Sequence, residues 1–304
     1  MNPLTILDGG MGRELKRMGA PFSQPYWSAQ ALIEAPHFVE HAHQQFIDAG
    51  ADIITTNSYA CVPFHLGDKL YQERGIELAH LAAQLAKNAV LHSQRHVTIA
   101  GSLPPVFGSY RPDLFLAEQA AQVWHDLLQA QEHNVDVWLV ETLSSIEEAQ
   151  VVSHVLAQSP KPKYYAYTLL DDVNQLGKLR SGETVEDAVQ SLLKHNPDGI
   201  LFNCSIPEVI ESALEVTARV LKHHHASIHL GAFANSFTPI RSGHKANDAV
   251  QELREVSPQD YLRFAKQWQQ HGATIIGGCC GIGPEHIDVL AQWKASVKCL
   301  QTIK

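Results

Sequence analysis

Three cysteines carry the most visible chemistry in this sequence. Two are adjacent, in Gly277-Gly278-Cys279-Cys280-Gly281, and the third stands in Asn203-Cys204. Adjacent cysteines rarely bond each other, because the ring is strained, and on a regular strand their side chains point to opposite faces. The flanking glycines let the backbone turn so that both sulfurs can face one point. Three thiolates make a zinc site with one open position. No Cys-x-x-Cys pair and no histidine at structural-zinc spacing completes a closed four-ligand set, so the open position points to catalysis. The plain alternative is small buried residues in a tight turn. Cys61 and Cys299 have no partner motif and read as packing. A thiolate-rich zinc is poorly suited to making hydroxide from water and well suited to a substrate thiol. Coordination deprotonates that thiol at neutral pH, and the anionic ligand set keeps the sulfur nucleophilic. Alkyl transfer to sulfur is the reaction that follows.

The elements that must position these cysteines are legible as short apolar runs: Leu4 to Leu7, Ile53 to Thr56, Val97 to Gly101, Val135 to Val140, Tyr164 to Leu169, Gly199 to Phe202, Ile228 to Ala232 and Ala273 to Ile276. They are continuous rather than alternating, as buried parallel strands are. Between them lie stretches of helix formers: Pro36 to Ala49, Asp68 to Leu91, Leu114 to His133, Ser145 to Gln158, Thr184 to His195, Pro207 to Lys222 and Pro284 to Lys298. Ser144-Ser145-Ile146-Glu147-Glu148 and Ser257-Pro258-Gln259-Asp260 carry helix-start signals. Eight strands alternating with helices predict an α/β fold, a (β/α)8 barrel, with an open doubly wound sheet as the alternative. The polar stretch from Phe233 to Val256 predicts a long loop after the seventh strand. No linker or repeat divides the chain, so one domain over residues 1–304 is expected.

The chemistry-bearing residues fall at the ends of these strands, where barrel active sites lie. Asp8, Asn57, Glu141, Cys204, Asn235 and Cys279-Cys280 each follow a proposed strand. In a closed barrel, strands six and eight are next-but-one neighbours, which lets three sulfurs converge.

The composition bounds the rest. Hydrophobic residues at 45% and charged residues at 18% describe a globular chain. A length of 304 residues buries a core without disulfide staples. A formal net charge of −9 disfavours a nucleic-acid surface. Five cysteines make no disulfide scaffold and fit a reducing compartment. The N-terminus has no basic stretch followed by an apolar one, and no apolar run approaches a membrane span, so a cytoplasmic protein without a membrane partner is expected. The histidines are numerous but scattered, and His41, His43 and His223 to His225 read as incidental.

The motifs together resemble the homocysteine S-methyltransferase family over nearly the whole chain. They are Leu7-Asp8-Gly9-Gly10-Met11, Thr55-Thr56-Asn57-Ser58-Tyr59, Glu141-Thr142-Leu143, Asn203-Cys204 and Gly277 to Gly281. The resemblance implies a (β/α)8 barrel with Zn2+ held by Cys204, Cys279 and Cys280. It implies homocysteine contacts at Asp8 and Glu141, and it places Asn235 near the substrate. The substrate ammonium needs a carboxylate partner, which Asp8 or Glu141 supplies, and buried acids are costly unless paired. The plain reading makes Asp8 a turn former and Glu141 a helix-start acid. Backbone N–H groups around Gly9 and Gly10 are expected to receive the substrate carboxylate. Asn57 and Asn235 either bond the substrate or hold loops, and Tyr59, Phe107 and Tyr110 are donor-side candidates.

The implied reaction is direct displacement of a methyl group by the homocysteine sulfur, giving methionine, with thiolate generation and in-line placement as the protein's contribution. S-methylmethionine is the favoured donor. S-adenosylmethionine, betaine or another methylated compound, and selenohomocysteine or another small thiol as acceptor, stand as alternatives. A non-catalytic zinc or thiol sensor explains the cysteines but not the two acids. Gly10-Met11-Gly12 lacks the third glycine of a dinucleotide loop, with Leu15 in its place. No strand-end lysine serves a Schiff-base aldolase, since Lys163 falls at the wrong end of its strand.

Overall fold

The computed structural model describes residues 3–241 and 251–302, with side chains through Val297. The reading of Cys299 and the middle of the Phe233–Val256 loop lie outside what is described. Eight parallel strands form one sheet in the order β1-β8-β7-β6-β5-β4-β3-β2. They are β1 (Thr5–Ile6), β2 (Ile53–Thr55), β3 (Thr98–Leu103), β4 (Val137–Leu143), β5 (Lys163–Tyr167), β6 (Gly199–Asn203), β7 (His229–Phe233) and β8 (Ile275–Ile276). A parallel bridge between Leu7 and Ile53 joins the first strand to the second, and Asp52 N–H donates to the Ile6 carbonyl at 2.7 Å. The sheet thus closes on itself as the expected (β/α)8 barrel.

Every expected strand is present. Two shifts in boundary matter to the site. β4 does not stop before Glu141 but runs on through Leu143. Its pairing with β5 slips between Val140 and Leu143, and Thr142 adopts a φ of +62°. This bulge adds a residue to one strand and re-aims its side chains. β3 likewise extends to Leu103.

Alternation along the strands divides the apolar residues into two layers. Leu7, Ile53, Ala100, Val137, Leu139, Ala166, Leu201, Phe233 and Ile275 fill the barrel interior, joined by Cys204 and Cys279. Trp138, Val140, Tyr165, Tyr167, Ile200 and Phe202 face the helices. Side chains two apart share a face, so Glu141 continues the inward row of Val137 and Leu139 and emerges above the packed interior.

The helical shell comprises α1 (Met11–Arg17), α2 (Ala29–Glu34), α3 (Pro36–Asp48), α4 (Pro63–Leu66), α5 (Asp68–His92), α6 (Ala117–Gln131), α7 (Ile146–Leu156), α8 (Val185–Leu193), α9 (Pro207–His223), α10 (Pro258–Gln270) and α11 (Pro284–Thr302). The start signals act as expected. Ser145 and Glu148 form a reciprocal capping box on α7, and Ser257 accepts from the Asp260 N–H at the start of α10. α1, α2 and α4 have no counterpart in the sequence reading. Among the described residues no helix is long and apolar enough to cross a membrane.

Candidate active site

The turn after β8 is stitched to both neighbouring strand ends. Gly278 N–H donates to the Asp8 carbonyl at 2.8 Å, and Cys279 N–H to the Ala234 carbonyl at 2.9 Å. Tyr261 on α10 braces the turn from outside, its hydroxyl donating to the Gly277 carbonyl at 2.6 Å. Gly281 sits at φ +85°, where a side chain would be strained. Across the barrel, Cys204 leaves β6 at φ +47°, and its carbonyl accepts from Thr168 Oγ1 at 3.2 Å. This left-handed step lifts Cys204 from the strand's alternation toward β8.

The result is convergence. The Cys204 and Cys279 sulfurs meet as a disulfide pair, with Cα atoms 5.8 Å apart across 75 residues of sequence. Cys280 remains a free thiol packed against the same interior cluster. All three line one cavity together with Asp8 and Glu141. Burial pushes the Cys280 thiol up to about 11, while Arg13 pulls it down and Glu141 pushes it further up. With the Cys204–Cys279 pair reduced, three soft sulfur donors stand on one wall, with no lysine among the described cavity residues, and are the set a thiophilic cation would take.

The acids are held from their own strands. Asp8 is 3% exposed and accepts from the Thr55 N–H at 2.7 Å and from Thr55 Oγ1 at 3.0 Å. Burial raises it to about 8, Thr55 opposes that, and the Glu141 charge adds to it. Glu141 accepts from Ser102 Oγ at 2.6 Å and is raised by burial to about 7. Two neighbouring carboxylates that resist ionisation become charged when a cation arrives between them. A substrate ammonium has that charge.

The remaining expected residues divide. Asn57 lines the cavity but directs its Nδ2 to the Ser28 carbonyl at 3.1 Å, tying a loop. Asn235 is fully buried outside the cavity lining. Its Oδ1 accepts from the Phe237 N–H at 3.1 Å, and its Nδ2 has no partner. Gly9 and Gly10 line the cavity, yet the Gly10 N–H already donates to the Ile282 carbonyl at 2.9 Å. A Cβ on Gly10 would lie 2.5 Å from the Cys279 carbonyl oxygen, so this glycine lets two loops touch. Tyr59 and Tyr110 line the cavity, whereas Phe107 turns to pack on Phe115 at 6.4 Å.

Two groups escaped the sequence reading. Arg13, on the first turn of α1, lines the cavity and donates to the Gln251 carbonyl at 2.7 Å. Arg180 forms a buried pair with Asp171 at 2.8 Å and covers the Tyr110 ring at 4.7 Å. Asp171 also accepts from the Ile206 and Ile240 N–H groups, so one carboxylate ties the loops after β5, β6 and β7. A helix beginning directly after Gly10 was the only available signal for Arg13, and glycine-rich sequence obscured it. Outside the cavity, His271 sets its two ring nitrogens against different carboxylates, Glu211 at 2.9 Å and Glu215 at 3.3 Å. These three side chains form a cluster between α9 and the end of α10, apart from the cysteines.

Comparison with known proteins agrees with this geometry. Residues 5–293 match the family model described as homocysteine S-methyltransferase. Homocysteine S-methyltransferase of Escherichia coli K12 is 28% identical, covering 94% of each chain. Homocysteine S-methyltransferase 1 of Arabidopsis thaliana is 27% identical over 94% of this chain and 92% of its own. Selenocysteine methyltransferase of Astragalus bisulcatus is 26% identical over 93% and 90%. The metallated form of the Escherichia coli homocysteine methyltransferase MmuM superposes with a TM-score of 0.75 at 24% identity, covering 95% of this chain and 96% of that one, and so shares the fold. The chain belongs to the homocysteine S-methyltransferase family and is a methyltransferase.

Proposed function

We propose that the protein transfers a methyl group from a sulfonium donor, S-methylmethionine foremost and S-adenosylmethionine within the same class, to the sulfur of L-homocysteine, and that it does so with zinc at Cys204, Cys279 and Cys280. The observation that carries the reading is the meeting of three sulfurs and two buried acids in one cavity. Zinc held there would supply thiol deprotonation at neutral pH. The chain does the rest within what we take to be a single catalytic domain. Asp8 and Glu141 receive the substrate ammonium and fix the direction from which the homocysteine chain reaches the cysteines. Gly9, Asn57 and the loop carrying Asn235 shape the wall behind it. Phe22 and Trp27, packed edge to face at 5.7 Å, stand with Tyr59 in the lining. Their faces favour a positively charged sulfonium over neutral methyl compounds. No general base is needed at the reacting carbon, so in-line placement is the main catalytic device.

The name of the Astragalus relative favours a second acceptor, a small selenol such as selenocysteine. The experiment is methylation of homocysteine or selenocysteine by reduced, zinc-supplied protein, offered S-methylmethionine, S-adenosylmethionine and betaine in turn. Methionine formation with a sulfonium donor is expected. Turnover with betaine alone overturns the donor assignment, and zinc retention without turnover on any pair turns the reading toward a sensor.

A further inference from the structure

We propose that Arg13 is a carboxylate-binding residue of the cavity and that the carboxylate it reads belongs to the methyl donor. This rests on the methyl-transfer reading above. Arginines in this protein are neutralised by acids. Among the described residues, every arginine other than Arg13 and the exposed Arg241 has a carboxylate within 3.7 Å. Arg13 is half-buried in the cavity lining and has none. Among the described residues its contacts are one backbone carbonyl, that of Gln251 at 2.7 Å, and the Phe237 ring, 5.7 Å from its guanidinium carbon. Neither cancels its charge. A guanidinium offers five donors in a planar fork that matches a carboxylate, and most of that fork remains available.

Its position separates the donor from the acceptor. Homocysteine bears its ammonium and carboxylate on one carbon, so a cation reading that carboxylate must stand beside the acid holding the ammonium. Both acids are held from the β2–β3 side of the barrel, Asp8 by the Thr55 N–H at 2.7 Å and Glu141 by Ser102 Oγ at 2.6 Å, whereas Arg13 is held from the loop after β7, by Gln251 and Phe237. The cavity therefore has an acidic side and a cationic side. Gln251 and Phe237 belong to the crossing of residues 236–241 with 251–254, joined by the Phe237–Leu253 bridge over the cavity. A molecule held by Arg13 meets the cysteines from that side. Its chemistry is a methylated onium group a few bonds from a carboxylate. Asp8 and Glu141 repel a carboxylate, so Arg13 selects which end of the donor faces away from them.

The test compares S-methylmethionine with (3-aminopropyl)dimethylsulfonium, the same molecule without its carboxylate, in wild type, Arg13→Gln and Arg13→Lys. Steady-state KM and calorimetric affinity are both measured. Wild type is expected to favour the carboxylate donor. Arg13→Gln should raise its KM and Kd roughly 10–100-fold, the loss of charge-assisted hydrogen bonds. The decarboxylated donor and homocysteine should change by less than about threefold, and Arg13→Lys should restore part of the preference. An unchanged preference in Arg13→Gln overturns the proposal. A rise confined to homocysteine overturns it too, by giving Arg13 to the acceptor. Should wild type turn over neither donor, the functional reading fails, and the calorimetric comparison still decides whether Arg13 binds the carboxylate.

Discussion

Asn203 and Thr142 exchange two hydrogen bonds across the top of the barrel: Thr142 N–H donates to Asn203 Oδ1 at 2.9 Å, and Asn203 Nδ2 donates to Thr142 Oγ1 at 3.0 Å. Asn203 immediately precedes Cys204, and Thr142 immediately follows Glu141. The pair therefore fixes the spacing between a site sulfur and a site carboxylate. It also holds Thr142 at a φ of +62°, which a β-branched residue does not adopt unaided. Both residues are fully buried.

Asn203→Ala should cost about 2–4 kcal/mol of stability, because it orphans a buried N–H and releases a strained residue. Denaturant titration reads the loss. Turnover should fall further than stability explains under conditions where the variant is fully folded. A variant that melts like wild type would show that the bulge holds itself.

Glu141 should make the free protein less stable as the pH rises. Its folded value of about 7 lies above the ordinary 4.5. Its stabilising contribution is therefore complete below about pH 4.5 and is lost as the pH rises through about 7. Glu141→Gln keeps a partner for Ser102 without the charge. At pH 8, in protein without metal, it should be more stable than wild type by roughly 2–4 kcal/mol, while binding the substrate amine more weakly. Equal thermal melts at pH 5 and pH 8 for the two proteins would refute the assignment.

The same two acids set a binding profile. Homoserine carries the ammonium and carboxylate but no thiol, so its binding reports the acids alone. Affinity should fall as the pH drops below about 8 and again below about 7, as Asp8 and Glu141 take up protons. Calorimetry across pH 6 to 9 measures it. A flat profile would place the ammonium elsewhere.

The fold was legible because the barrel strands are buried on both faces and read as unbroken apolar runs, several of them closely followed by a polar residue such as Asp8, Asn57 or Glu141. The convergence of the three cysteines on one cavity was legible for a related reason. Gly278 and Gly281 mark a backbone that must turn, and Cys204 ends a run two strands away. The bulge at Thr142 was not, since nothing in Val140-Glu141-Thr142 announces a slipped register. Arg13 was hidden because α1 starts inside Gly9-Gly10-Met11-Gly12, where the glycines suggest a loop. Asn235 follows β7 as expected, yet it turns into the wall to accept from Phe237, a choice made by the loop's own packing.

His43 is a buried misfit on α3. Neither ring nitrogen has a partner, and burial lowers its value to about 3. The stability it leaves in place is present above about pH 6.5 and is lost as the pH falls toward 3. His43→Leu should stabilise by about 1–3 kcal/mol at pH 7, with a widening gap under acid. An acid-unfolding midpoint identical to wild type would contradict this.

The central claim is that Cys204, Cys279 and Cys280 form one reaction centre. Zinc content and methionine formation should be measured together in reduced wild type, Cys204→Ser, Cys279→Ser and Cys280→Ser, each checked for folding. The account predicts about one zinc per wild-type chain, with zinc retention weakened and turnover lost in every variant. Full zinc and full turnover in any one of the three would contradict it.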